Sequence, residues 1–335
     1  KNIPQVSLGT SSDSIYIGYD AFRDCENISE VNLGPAIKHL GAGCFDNCTA
    51  LSEISYNCNP DSVGGWAFSR TTPYRVKISP EVVLLKEHTF DGCDMTQLIF
   101  ESIENRTTLL SIEPGCVGSD NLISVTLPPL DYFSGFDCSN LKEIIVEGDC
   151  NIIDNPVGTR DAIESIIIKG KVGKICDRAF GHSSYLNGSV VASPRGSGLK
   201  HFSAQQCDTI GHQAFYLNRQ LESVDIPGGI KHVGVDAFYE CKTLAEFPFR
   251  AEMSFEKGSF ECTALSEVVI GDWCKSIPER AFYKCESLKS LTVAPTVTKV
   301  EDFAFFMCSM LDDFDFKDIK SIGEQAFYKV ALPRI

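Results

Sequence analysis

Six cysteines recur at one place in the sequence. Cys25, Cys48, Cys93, Cys241, Cys285 and Cys308 each stand three residues after a phenylalanine, and Cys262 stands two after Phe260. Thiols at fixed spacing can ligate zinc, form disulfides or fill small buried spaces. Zinc needs clustered ligands, yet none of the fifteen cysteines forms a Cys-x-x-Cys pair. Cys44 and Cys48 lie four apart with no nearby partners, and His39 and His232 are far apart in the chain. The sequence therefore predicts no metal site and no cofactor. Catalytic signatures are missing as well: there is no Gly-x-Ser-x-Gly, phosphate loop, dinucleotide fingerprint or His-Glu-x-x-His. Asp313 and Asp315 would share a strand face beside Asp312, which reads as a solvated surface rather than an acid–base pair. The chain is expected to be non-enzymatic.

The elements that hold the cysteines repeat. Anchors fall at Phe22, Phe45, Phe68, Phe90, Val117, Phe136, Val157, Phe180, Phe215, Phe238, Phe260, Phe282, Phe305 and Phe327, most of them 22 or 23 residues apart. Five residues before the anchor comes an aliphatic or aromatic residue, as at Ile17, Leu40, Val63, Leu85, Val233, Ile277 and Val300. The repeat around Phe136 breaks this rule, with Asp131 at that place and Leu130 beside it. Beyond the anchor, apolar pairs two apart recur, such as Val31 with Leu33, Ile166 with Ile168 and Val268 with Ile270. Period-two alternation of β-branched residues predicts a short strand in each repeat. Prolines such as Pro35, Pro128, Pro227 and Pro295 end several of these strands. The Ala-Phe-x-x-Cys-x-x-Leu stretch has apolar groups at helical spacing over about two turns, predicting a short helical or 3₁₀ piece on the opposite side.

One such coil cannot bury its own apolar face, but stacked coils can. The predicted fold is a leucine-rich repeat solenoid, mostly β, of about fourteen coils of 22–23 residues. A parallel sheet lies on its concave face with short turns opposite. Residues 1–14 are a lead-in or cap, and 15–335 a single solenoid. About four extra residues sit near 101–106 and about twelve near 193–201, as drift between repeats or as specificity loops. The phenylalanines, typified by Phe22, Phe45, Phe238, Phe282 and Phe305, form an internal ladder. The cysteines three residues on form a second, as small apolar packing groups. Disulfides such as Cys25 with Cys48, or Cys285 with Cys308, are within reach of neighbouring coils. Side chains pointing the same way, however, rarely offer the required dihedral.

The pattern Ile-x-x-x-Ala-Phe-x-x-Cys-x-x-Leu-x-x-Ile-x-Leu-Pro stands nearly intact in Val233–Phe249 and Ile277–Val293. It resembles the BspA-like, or Treponema pallidum-type, leucine-rich repeats, and the resemblance spans Ile15 to Val330. It implies a surface or secreted protein of a host-associated microbe, similar to adhesins that bind host matrix proteins or other cells. It carries no shared catalytic motif.

Composition narrows the partners. A net charge of −15 disfavours nucleic acid and anionic membranes, and no apolar run approaches the length of a membrane span. The chain does not begin with Met, so its first residues do not bear on location. Function is expected on the strand face, where residues between the buried positions point outward. Apolar residues stand there at Ile99, Ile145, Ile167 and Val269. Glu143, Ile145, Glu147, Ser165, Ile167 and Lys169 are the predicted contact residues for a protein or glycan partner. An intracellular interaction scaffold and the binding module of a larger enzyme are the alternatives.

Overall fold

The structure, a computed structural model, describes residues 4–103, 108–157, 162–181, 183–186, 189–192, 198–250 and 252–332. Most of the insertion near 193–201, and part of that near 101–106, therefore lies outside the described residues. The chain is a parallel-strand β-solenoid of about 13 turns, the number of intervals that fourteen anchors bound. It divides into two compact units, Lys1–Asn151 with Asn155–Ile163 and Ile152–Asp154 with Glu164–Ile335.

The predicted strands pair coil to coil, in parallel and in the expected register. In the first unit Val6, Val31, Ile54, Val76 and Leu98 form one buried row, and Leu33, Tyr56, Ile78 and Phe100 the next, led by half-buried Leu8. Gln5–Leu8 pairs with Glu30–Leu33, so the lead-in over 1–14 supplies a ladder strand. In the second unit Ile166 aligns with Phe202 and Val224, and Val268 with Leu291. A second set of short strands carries the row five residues before the anchor. Ile17, Leu40 and Val63 align, as do Ile175, Ile210, Val233 and Phe255, and Ile277, Val300 and Ile322. The irregular repeat resolves here. Phe133, not Asp131, aligns with Ile112, across a register shift after Leu110. Its buried ring occupies the aliphatic row, and the shortened coil closes two residues earlier.

The arc around each anchor is a pair of turns, and among the described residues there is no α-helix. Left-handed residues stand two before and two after the anchor: Asp20 and Asp24, Gln213 and Leu217, Asp236 and Glu240, Arg280 and Lys284. Each interrupts the right-handed run that a helix needs. The N–H groups then alternate between two partners. Phe22 N–H donates to Cys44 O in the next coil at 2.8 Å, whereas Cys25 N–H turns back to Phe22 O at 3.3 Å. The same alternation at Phe215, Phe238 and Phe282 links coil to coil, so the arc is a third inter-coil ladder. Apolar spacing alone cannot distinguish this arc from a helical turn, because both place the anchor and the residue three on toward the core.

Anchor rings fill the interior as two near-parallel stacks. Phe22, Phe45 and Phe68 lie 4.9 and 5.2 Å apart in the first unit. Phe215, Phe238, Phe260, Phe282 and Phe305 follow at 5.1–5.6 Å in the second. These spacings lie within the attractive range for offset rings, and burial of each ring other than half-buried Phe22 contributes about 1.5–3 kcal/mol.

Candidate binding face

Twelve of the fifteen cysteines are buried, and Cys25, Cys176 and Cys262 are half-buried. No disulfide joins any of the fifteen. Desolvation pushes the Cys44, Cys58, Cys93, Cys207 and Cys285 thiols up to about 12, so they stay protonated at neutral pH. The recurring thiol instead acts as a hydrogen-bond donor. Cys48, Cys241, Cys285 and Cys308 donate to the main-chain carbonyls of Phe22, Phe215, Phe260 and Phe282, one coil back, at 3.1–3.2 Å. Asn218 takes the same place, with Nδ2 donating to Phe180 O at 2.7 Å. Packing explains a small residue there, and the carbonyl explains why it carries a donor. Among the described residues no group of three or more His, Cys, Asp or Glu could hold a metal ion.

Carboxylates that leave the surface are paired. Glu261 is buried, and Arg280 donates to both of its oxygens, Nε at 2.9 Å and Nη2 at 2.7 Å. Burial raises the Glu261 carboxyl above its ordinary range, against the lowering effect of Arg280. The guanidinium also lies 4.4 Å from the Tyr283 ring centre. In the first unit Arg70 forks onto buried Asp46, and that hydrogen bond holds the Asp46 carboxyl below its ordinary range. These pairs hold coils together.

The outward rows of the strand face remain. Glu143 and Ile145 are half-buried on Glu143–Val146, between buried Ile144 and Val146, and Glu147 is exposed just beyond. Glu143 lies beside Ser124, and Ile145 beside Thr126. Those three predicted residues belong to the first unit; Ser165, Ile167 and Lys169 belong to the second. There Ser165 lies beside His201, and Ile167 beside Ser203, with Ile166 and Ile168 buried behind and Lys169 exposed. Ile99 and Val269 also point outward, 37% and 46% exposed.

The anchor alignment missed several members of these rows, among them Arg75, Lys77, His201 and Ser203. A step of 22 from Glu53 and Ser55 reaches Arg75 and Lys77, and the insertion before His201 hides the other two. They matter electrostatically. Lys77 pairs with Glu53, with Arg75 within 3.9 Å of the same carboxylate. The face is thus neutralised at Glu53, in a chain of strong net negative charge.

A repeat protein is what this architecture defines, with a buried aromatic ladder and exposed strand rows as its two invariants. The chain belongs to the BspA-type leucine-rich repeat family, whose model matches residues 1–111, 99–187 and 208–333. Among solved structures it is similar to a leucine-rich repeat protein from Bacteroides ovatus, at 16% identity over 97% of this chain and 84% of that one, with a TM-score of 0.37. It is similar to a leucine-rich cell surface protein from Faecalibacterium prausnitzii, at 14% identity over 88% of each chain and a TM-score of 0.34. It is also similar to the pneumococcal vaccine antigen PcpA, at 13% identity over 100% of this chain and 93% of that one, with a TM-score of 0.35. No curated protein matches the chain. No helix among the described residues is long and apolar enough to cross a membrane.

Proposed function

We propose that the chain is a non-enzymatic interaction protein, an adhesin at the cell surface or secreted, that presents its strand face to a protein or glycan partner. The observation that supports this reading is two uncharged outward positions, each with an uncharged ladder neighbour. Ile145 stands beside Thr126 and Ile167 beside Ser203, each fixed by a parallel ladder and partly open to solvent. A position held by a ladder needs little ordering on binding, so more of the contact energy reaches affinity. The surface location rests on what the family resemblance implies. Glu143, Glu147, Ser165 and Lys169 are the polar rim in this reading. The test is a binding screen of host matrix proteins and glycans with the unmodified chain and with Ile145→Ser and Ile167→Ser. Retained capture by both variants overturns the assignment of the face.

A second reading is an intracellular interaction scaffold. Fifteen cysteines without a disulfide favour it, since disulfides are rare in a reducing compartment. Labelling intact source cells with a membrane-impermeant amine reagent separates the two: labelling of the chain supports the surface reading, and its protection supports the scaffold.

A further inference from the structure

Residues 245–250, in the second unit, form no strand, although Ser223–Asp225 one coil before and Glu267–Ile270 one coil after do. Ser223–Asp225 pairs back toward His201–Ile210, and Glu267–Ile270 pairs on toward Ser290–Val293. Pro248 supplies the physical cause. Its place in the repeat is that of Ser55, where outward residues donate N–H groups to the preceding coil, as Glu53 does to Ser29 O and Asn57 to Leu33 O. Proline has no N–H to give. Phe249 N–H instead turns back to Phe247 O at 2.9 Å, in a three-residue turn centred on Pro248. The Phe247 and Phe249 rings still pack inward, 4.7 and 5.1 Å from the Phe260 ring, so the turn is anchored from beneath.

A cleft lies on each side of this turn. The first measures about 500 Å³ and places Glu222, Asp225 and Glu246 around Phe247 and Pro248. The second measures about 440 Å³ and sets Glu246, Glu267 and Arg250 around Phe249 and Val269. Both volumes fall within the range of ligand sites. Glu222, Asp225, Glu246 and Glu267 are exposed, and none of them has an ion pair or a side-chain hydrogen bond among the described residues. Other carboxylates of the unit are neutralised, Glu240 by Arg219, Glu261 by Arg280 and Glu279 by Lys257. The first cleft therefore gathers three uncompensated negative charges, with no cation in its lining, above a half-buried aromatic and proline surface. The second cleft is mixed, with Arg250 as its cation and Val269 46% exposed.

We propose that this surface docks an extended basic segment of a partner protein, with an arginine or lysine in the first cleft and an aliphatic side chain against Val269 in the second. Charge complementarity sets the occupant: three like charges without counter-ions favour a cation and disfavour acidic partners. A guanidinium also suits the aromatic edge of Phe247, since it is planar and weakly hydrated. Among the described residues no three carboxylates stand close enough to hold a metal ion, so the complementary cation is an organic one. A free polyamine would supply the charge but no aliphatic branch for the second cleft, whereas a peptide supplies both. The site rests on the reading of the chain as an interaction protein, yet it shares no residue with the Ile145 and Ile167 positions.

The test is calorimetric titration of the whole chain, at low ionic strength, with a capped six-residue peptide alternating arginine and valine. A peptide with citrulline for arginine keeps the shape and removes the charge. One with glycine for valine keeps the charge and removes the aliphatic groups. The arginine–valine peptide should bind with a Kd below about 1 mM, and each altered peptide at least about tenfold more weakly. The triple variant Glu222→Gln, Asp225→Asn, Glu246→Gln changes exposed residues only, so it should melt as the unmodified chain does while losing at least about tenfold in affinity. Asp13→Asn, Asp61→Asn and Glu81→Gln together remove the same charge from exposed positions of the first unit and should leave the Kd unchanged. No binding at millimolar peptide, equal binding of the citrulline or glycine peptide, unchanged binding by the triple variant, or an equal loss in the first-unit variant would each overturn the proposal. None of these outcomes depends on the Ile145→Ser and Ile167→Ser variants, so failure of one site is told apart from failure of the other.

Discussion

The Cys241 thiol donates to the main-chain carbonyl of Phe215, one coil back, at 3.2 Å, and Asn218 makes the equivalent bond to Phe180 at 2.7 Å. The two residues do one job with different chemistry. Asn218 brings an additional carbonyl, and its Oδ1 is buried without a partner among the described residues. Asn218→Cys keeps the donor and removes that oxygen, so it should stabilise the fold by about 1 kcal/mol, whereas Asn218→Leu removes the donor and should destabilise it. Urea unfolding of the two variants checks the pair, and opposite signs of the change are the expected result.

The inner and outer aromatic stacks should differ sharply. Phe282 is fully buried between Phe260 and Phe305, and Phe282→Ala should cost about 3–5 kcal/mol. Tyr283 stacks on Phe306 at 4.8 Å but is only partly buried, so Tyr283→Ala should cost about 1 kcal/mol. Chemical denaturation of both variants measures the ratio. A loss below about 1 kcal/mol for Phe282→Ala would place that ring outside the core.

Alkali should unfold the chain. Burial raises the Cys44, Cys58, Cys93, Cys207 and Cys285 thiols from 9.0 to about 12. The folded state keeps these protons where the unfolded chain releases them. Their stabilising effect is complete below the ordinary thiol value and is lost as pH rises from there toward the folded value, by about 1.4 kcal/mol per thiol per pH unit. Urea midpoints at about pH 8 and about pH 10 test this, and replacing Cys93 with Ala should reduce the slope between them.

Arg280 should matter most where Glu261 is ionised. Because burial raises the Glu261 carboxyl, its contribution falls as pH rises through the ordinary carboxylate range toward the raised folded value. Arg280→Met removes the compensating charge and widens that gap. The variant should lose about 2 kcal/mol at neutral pH, less than a fully buried pair because the Arg280 side chain is 38% exposed. At about pH 4 the loss should shrink, and a deficit independent of pH would show that packing rather than charge holds the residue.

Stacked coils made much of this fold legible in the sequence. A solenoid repeats each contact at every turn, so a residue type that recurs every 22 or 23 positions reports a row of neighbours in space. Phe238, Phe260 and Phe282 were recognisable as one stack for that reason, as were Val233 and Ile277 in the row before the anchor. The outward positions Ile145 and Ile167 followed from strand alternation alone.

What the repeat does not encode had to come from the tertiary structure. Left-handed geometry at Asp236 and Arg280 gives the anchor arcs their turns, although neither residue type demands it. A thiol's direction depends on where the neighbouring coil places its carbonyl, so Cys241 read as packing until Phe215 O was located. Phe133 took the aliphatic row because the shortened coil shifted register, which counting from Phe136 cannot reveal. The absence of pairing between Gln97–Phe100 and Ser124–Leu127 is likewise a relation between coils. The sequence by itself determined which residues stack, because burial selects residue type at every turn. Only the tertiary structure decided where the main chain pairs and where it stays open, because hydrogen bonds between backbones leave almost no mark on side-chain identity.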